Sequence, residues 1–340
     1  MATRKPTRRS TQGSAEDRLI ARHFRPLATH PGARALVDDA AVVAVPKGYE
    51  LVLTTDAIIT GVHFFPDYPP EAVARKALRV NLSDLAGKGA RPLGFLMSIA
   101  LTREVTDRWL KKFTGALSAD AKKFGCPLLG GDTDRTPGRL AVTIAAFGTI
   151  PRGKMVRRDG ARGGDRVVVS GTIGDAALGV ILRRDPGAAK RWGLDRTMRA
   201  HLLDRYLVPQ PRGALAPALR RHAHGAMDVS DGLAGDLAKM CRAARLDASI
   251  DVARVPLSRA ARAVLVAEPA LIETILTGGD DYEVLAAVPA RKVAALRKAA
   301  AAAGVALTEI GRFSAGTGQT RFVDTQGRAH AFARAGYSHF

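Results

Sequence analysis

At 340 residues, with 46% hydrophobic and 25% charged residues, the chain has the make-up of a soluble globular protein long enough for two domains. Its formal charge of +20 is spread along the chain and aromatic residues make up only 5%, so a nucleic-acid surface of interleaved basic and aromatic residues is not expected. No apolar run approaches the roughly 18 residues of a spanning helix, and the cysteines, Cys126 and Cys241, lack the CxxC spacing of a zinc site or redox pair, which points to a reducing, cytoplasmic setting.

In chain order, the opening "MATRKPTRRSTQGS" is basic without an amphipathic pattern, and residues 1–15 read as a solvated, disordered arm. "ELVLTTD" (50–56) is a strand that ends in polar residues. Residues 70–89 form a helix with Pro70 in its first turn and glycines at its close. A strand at 92–101, an amphipathic helix over 105–124 stopped by Gly125, and strands at 126–132 and 139–150 follow. The Gly/Arg-rich stretch 151–165 marks a boundary between a first domain, 16–150, and a second, 151–340. Beyond it come the strand "RVVVSG", a helix from Gly174, the "VPQPR" break, "GAMDVSDG", a helix over 233–244, the strand "ASIDV", "LTGGDDYEVLAAV" and an alanine-rich helix over 290–305. Alternating elements in both halves predict α/β or α+β architecture.

The chemistry is concentrated in aspartates at apolar-to-turn junctions: Asp38 and Asp39, Asp56, Asp132, Asp228 and Asp231, Asp280 and Asp281. Any one of them could be a cap or a turn residue. Asp84 stands out, because Val73, Ala77, Val80 and Asp84 share one helix face and Asn81 is its neighbour. A carboxylate ending an apolar stripe needs a cation, either an arginine or a metal. Taken together, short carboxylates without clustered histidine or cysteine suit Mg²⁺ and phosphate rather than zinc. "GTIPRGKM" (148–155) has P-loop spacing, but Met155 replaces the Ser or Thr and Pro151 removes an N–H. "SGTIGDAALGV" lacks the GxGxxG order and reads as a structural turn. Asp236 reads as an exposed helix residue.

"DDAAVV", "TTDAIITGVHF", "KALRVNLSDLAGKGARP", "LLGGDTDRTPG", "MDVSDGLAGDL", "TGGDDYEVL" and the closing "GYSHF" occur in the order found in thiamine-monophosphate kinases, and the chain resembles that family over nearly its whole length. The resemblance implies an aminoimidazole ribonucleotide synthetase-like fold of two domains. An N-terminal mixed sheet would pair in a homodimer, beside a C-terminal α/β domain. It implies transfer of the γ-phosphoryl of ATP to thiamine monophosphate with Mg²⁺ and no covalent intermediate. By motif position, it implies metal ligands at Asp39, Thr54, Thr55, Asp56, Asp84, Asp132, Asp228 and Asp231. Nucleotide contacts would be Gly131, Asp132, Arg158 and Ser230, and substrate contacts His63, Asp280 and Tyr337. A phosphate acceptor is already anionic, so no general base is needed to make a nucleophile.

The chain departs from the family pattern at three positions. Val37 replaces a glycine before the first Asp pair, so the loop must differ if that glycine takes positive φ. Asp280 replaces a glutamate, and Lys88 stands where an apolar residue is common, either modifying the pocket near Asp84 or facing solvent. The alternative activity is that of another ATP-using superfamily member that activates an amide or carbonyl oxygen. No membrane or specific nucleic-acid partner is expected.

Overall fold

The computed structural model describes residues 14–324, 326–332 and 336. The arm expected over 1–15 lies outside these residues except for Ser14 and Ala15, which open a helix instead. Ser14 Oγ accepts the Asp17 N–H at 3.0 Å and the Asp17 carboxylate accepts the Ser14 N–H at 2.7 Å, a reciprocal cap that starts α1 (Ala15–Leu19).

Four strands, β1 (Tyr49–Ile59), β2 (Arg91–Leu101), β3 (Leu128–Arg135) and β4 (Ala141–Pro151), form a first sheet in the order β1-β4-β2-β3. Only β2 and β3 run parallel. Helices α2 (Pro70–Gly87) and α3 (Asp107–Phe124) belong to this half. The amphipathic α3 buries Leu110, Phe113, Leu117 and Ala121, is capped by Thr106 through the Trp109 N–H, and stops at left-handed Gly125. Its start is two residues later than the hydrophobic pattern alone suggests, because Thr106 claims the cap.

The second sheet has the order β10-β7-β9-β5-β8-β6, built from β5 (Arg166–Ser170), β6 (Gly225–Val229), β7 (Leu246–Asp251), β8 (Glu283–Val288), β9 (Leu307–Ala315) and β10 (Thr320–Val323). Its helices are α4 (Asp175–Arg184), α5 (Ala188–Arg191), α6 (Arg196–Leu207), α7 (Ala216–His222), α8 (Leu233–Ala244), α9 (Arg259–Ala267), α10 (Ile272–Thr277) and α11 (Val293–Ala302). The Gly/Arg-rich stretch 151–165 lies between the last strand of one sheet and the first strand of the other. After "GTIPRGKM" the chain makes a turn and a single 3₁₀ turn at Arg158–Gly160, so the helix a P-loop requires is absent there.

Two expectations change in position. β1 continues to Ile59 because Ile58 and Ile59 pair with Val142 and Ala141, so Asp56 lies within the strand rather than at its end. Val37 has φ −105°, and the left-handed conformations fall just before it, at Arg34, Ala35 and Leu36.

Helix α2 organises the rest. It packs on β1, β4 and β2 of the first sheet and on β6 and β8 of the second. Surrounded this way, it buries Val73, Ala77 and Val80 together with Lys76, Arg79 and Asn81. Lys76, Arg79 and Asn81 each have partners, as burial demands. Arg79 pairs with Asp120 at 2.5 and 2.9 Å, and Asn81 donates to the Ala77 carbonyl at 3.0 Å.

Candidate active site

Asp84 is in the last turn of α2, where the helix meets β1 on one side and β6 on the other. Its carboxylate accepts the hydroxyl of Thr54 on β1. Asn81, one turn earlier, accepts the Asp56 N–H through Oδ1 at 3.0 Å. Among the described residues no arginine or lysine forms an ion pair with Asp84.

The second sheet adds the corner between β6 and α8. Asp228 is the penultimate paired residue of β6, opposite Val284, and is 6% exposed. Gly87 lets α2 approach it, since a Cβ there would lie 2.9 Å from the Asp228 nitrogen. The chain then turns at Gly232, whose φ of +104° and contact with the Thr277 carbonyl leave no room for a side chain. This turn brings Ser230 and Asp231 against the 277–280 loop, where the Asp280 N–H donates to the Ser230 carbonyl at 2.8 Å.

These carboxylates lie near enough to act on one another's charge. Burial, then Asp84 and then Asp231 raise the Asp56 carboxyl from its ordinary value to about 6. Burial, followed by Asp84, raises Asp228 to about 8, against a hydrogen bond from Ser83 and the opposing charge of Lys88. Asp56, Asp84 and Asp228 thus feel one another's charge with no ion pair among the described residues, whereas Asp231 is paired with Lys239.

Asp236 is buried rather than exposed, contrary to its sequence reading. One of its oxygens accepts the N–H groups of Ser230 and Asp231, at 2.9 Å each, and the other meets Lys239 Nζ at 2.7 Å. Lys239 also bonds Asp231. Helical spacing alone could not reveal this, because the acceptor caps a turn that precedes its own helix.

The remaining expected ligands are elsewhere. Thr55 alternates to the opposite face of β1 and donates to the Ile144 carbonyl at 3.1 Å. Asp39, Gly131 and Asp132 line a cavity of about 760 Å³ together with Asp38, Leu51, Leu96 and Phe147. A side chain at Gly131 would overlap the Met97 carbonyl, so β3 needs glycine there to lie against β2. Asp56 and Gly131 are in one register row, through Ile144 and Met97, but at opposite edges of the sheet. Three strand spacings, about 14 Å, separate them.

His63 Nδ1 accepts the Ile59 N–H at 3.1 Å, which puts the proton of a neutral ring on Nε2. Its carbonyl faces the hydroxyl of Tyr206 at 3.4 Å. Asp280, at φ +70°, has one oxygen 2.9 Å from Lys76 Nζ and the other 3.0 Å from the Tyr282 hydroxyl. Lys76 is 1% exposed and also lies 4.2 Å from the centre of the Tyr206 ring. Its signal in the sequence was the i, i+4, i+8 series Lys76, Val80, Asp84. Arg158 is exposed on its 3₁₀ turn, beside the end of α2. Tyr337 lies outside the described residues.

The donors fit Mg²⁺. All are oxygens, the donor type a hard cation prefers. Among the described residues, no three His, Cys, Asp or Glu side chains converge tightly enough to hold an ion unaided. That pattern suits an ion that keeps several waters and shares substrate phosphates.

The matched family models assign the class. The description "AIR synthase related protein, N-terminal domain" covers residues 37–150, and "AIR synthase related protein, C-terminal domain" covers 162–324. A thiamine-monophosphate kinase of Caulobacter vibrioides is 41% identical over 94% of this chain and 89% of its own length. The crystal structure of thiamine-monophosphate kinase from Stenotrophomonas maltophilia superposes with a TM-score of 0.80 at 35% identity, covering 92% of this chain and 96% of that one. A solved complex of AaThiL with AMPPCP and TMP gives a TM-score of 0.76 at 29% identity, over 89% and 91% of the two chains. Within the AIR synthase related proteins, the chain belongs to the thiamine-monophosphate kinase family.

Proposed function

We infer that the protein transfers the γ-phosphoryl group of ATP to thiamine monophosphate, giving thiamine diphosphate and ADP. The observation that carries this reading is the convergence of Asp56, Asp84, Asp228 and Asp231 around a space with no arginine partner for Asp84, in a chain of this family. The acceptor oxygen carries its charge at neutral pH, so the barrier is repulsion between two polyanions and their in-line alignment.

Asp56, Asp84, Asp228 and Asp231, with Thr54, would hold Mg²⁺; Asp39, Asp132 and Thr55, which the resemblance also implies, lie away from this group within one chain. When bound, the metal would neutralise phosphate charge. Ser230 and the Gly131–Asp132 segment of β3 would hold the nucleotide, with Arg158 as a planar cationic fork on its phosphates. Asp236 fixes the backbone that presents Ser230 and Asp231. His63, Asp280 and Tyr337 would contact the thiamine phosphate.

The protein is read as a homodimer divided after residue 150 into the two domains expected from sequence. Tyr49, Leu51, Leu53 and Leu96 leave the outer face of the first sheet exposed and apolar, the signature of a covered interface. Pairing two such sheets edge to edge would also set Asp132 of one copy near Asp56 of the other. The free, buried Cys126 and Cys241 agree with a cytoplasmic setting. Among the described residues, no helix is long and apolar enough to cross a membrane.

The test is direct. Purified protein with ATP, Mg²⁺ and thiamine monophosphate yields thiamine diphosphate and ADP on chromatography. Folded protein that makes neither at saturating substrate overturns the reading.

A further inference from the structure

Lys88 turns inward. It follows Asp84 by one helical turn, its N–H donating to the Asp84 carbonyl at 3.0 Å, and so shares that face of α2. Its Nζ donates to the Ala226 carbonyl at 2.8 Å. Ala226 precedes Asp228 by two residues on β6, on the same face of the strand.

The segment before Arg158 closes the other side. The Val156 N–H donates to the Lys88 carbonyl at 3.1 Å, and the Ala226 N–H donates to the Arg157 carbonyl at 3.3 Å. A partly buried ammonium is thus held between the Asp84–Asp228 pair and the Arg158–Asp159 turn. It has three donor hydrogens and spends one on Ala226. Among the described residues no carboxylate lies within ion-pair distance of it. Its neighbours on both sides belong to the groups assigned to metal and nucleotide.

We propose that Lys88 is a resident cation of this site: it offsets part of the charge of Asp84 and Asp228 and contacts the nucleotide phosphates with its remaining donors. The proposal rests on the reading of the site as one for Mg²⁺ and ATP. It deepens that reading by adding a protein-borne charge where the resemblance led to an apolar residue. Coulomb's law gives the two ligands opposite responses. A fixed positive charge weakens binding of a second cation to Asp84 and Asp228, and strengthens binding of a polyanion beside them.

The experiment uses full-length protein and the Lys88→Met, Lys88→Arg and Asp228→Asn variants. Mn²⁺ binding without nucleotide is read from the electron paramagnetic resonance signal of the free ion, and ATP binding in EDTA by calorimetry. Lys88→Met is expected to tighten Mn²⁺ by about threefold to tenfold and to weaken metal-free ATP by a similar factor, with Lys88→Arg close to wild type on both. Damage to the fold would weaken both ligands together. Loss of Mn²⁺ affinity in Asp228→Asn, without tightening in Lys88→Met, overturns the role of Lys88 and leaves the metal site standing. An unchanged ATP affinity in Lys88→Met likewise overturns it. Undiminished Mn²⁺ binding in Asp228→Asn overturns the metal reading and the Lys88 proposal with it.

Discussion

Asp236 accepts the backbone N–H of Asp231 at 2.9 Å, so a carboxylate inside a helix orients a proposed metal ligand five residues before it. Replacing Asp236 with Ala strands two turn amides and removes one partner of Lys239. The expected loss is about 2–3 kcal/mol of stability, measured by urea denaturation. Turnover should fall further than the loss of folded protein explains, because Ser230 and Asp231 lose their common support.

Asp84→Asn and Asp228→Asn test the carboxylates themselves. Each should lower kcat by about 100-fold or more, as expected when charge stabilisation is removed from a phosphoryl-transfer site. Melting in EDTA should stay near wild type or rise for Asp228→Asn, since its ionised form is disfavoured by burial and by Asp84. Added Mg²⁺ should raise the melting temperature less in either variant than in wild type. Full activity in both would remove the metal role.

Lys76 and Asp280 join α2 to the 277–280 loop, the proposed substrate contact, through a 2.9 Å ion pair. Asp280→Asn should raise KM for thiamine monophosphate by about tenfold while leaving KM for ATP within about twofold. Initial rates with each substrate varied in turn make the distinction. Equal changes in both constants would place Asp280 outside the substrate site.

Asp175 links three elements: Thr172 at 2.6 Å, His201 at 2.8 Å and Ser258 at 2.5 Å. Burial pushes its pKa up, but the hydrogen bonds from His201, Ser258 and Thr172 more than offset this and leave it low. The bond to Asp175 raises His201. The His201 contribution is complete below its unfolded value of 6.5 and is lost as pH rises through the raised folded value. The Asp175 contribution is present above 3.8 and is lost as pH falls through the lowered one. The melting difference between wild type and His201→Gln should therefore be largest near about pH 5.5 and shrink by about pH 8.5.

Leu53 is 62% exposed and Leu96 is 38% exposed on one sheet face. A Leu53→Asp, Leu96→Asp variant should sediment as a monomer where wild type sediments as a dimer, and should lose activity with it. A wild-type monomer would overturn the shared-sheet reading.

Much of this protein was legible along the chain. The strand at 92–101, the helix stopped by Gly125 and the helix over 233–244 are written in local periodicity and terminators, which depend on neighbours a few residues away. Asp84 announced itself as a charge at the end of an apolar stripe. By contrast, α6 and α9 were not evident, and neither was the burial of Lys76 or Asp236. Their partners lie in other elements: Lys76 is neutralised by Asp280 from 204 positions away, and α2 is buried on two sides because two sheets enclose it. Sequence alone placed aspartates at apolar-to-turn junctions, and the family resemblance proposed which of them bear metal and phosphate chemistry, because residue type and local spacing go no further. Only the tertiary structure decided which of them meet. It set Asp56, Asp84, Asp228 and Asp231 together, left Asp132 on the far edge of the first sheet, and turned Lys88 inward, since long-range packing sets distance and burial, and these determine where a charge can reside.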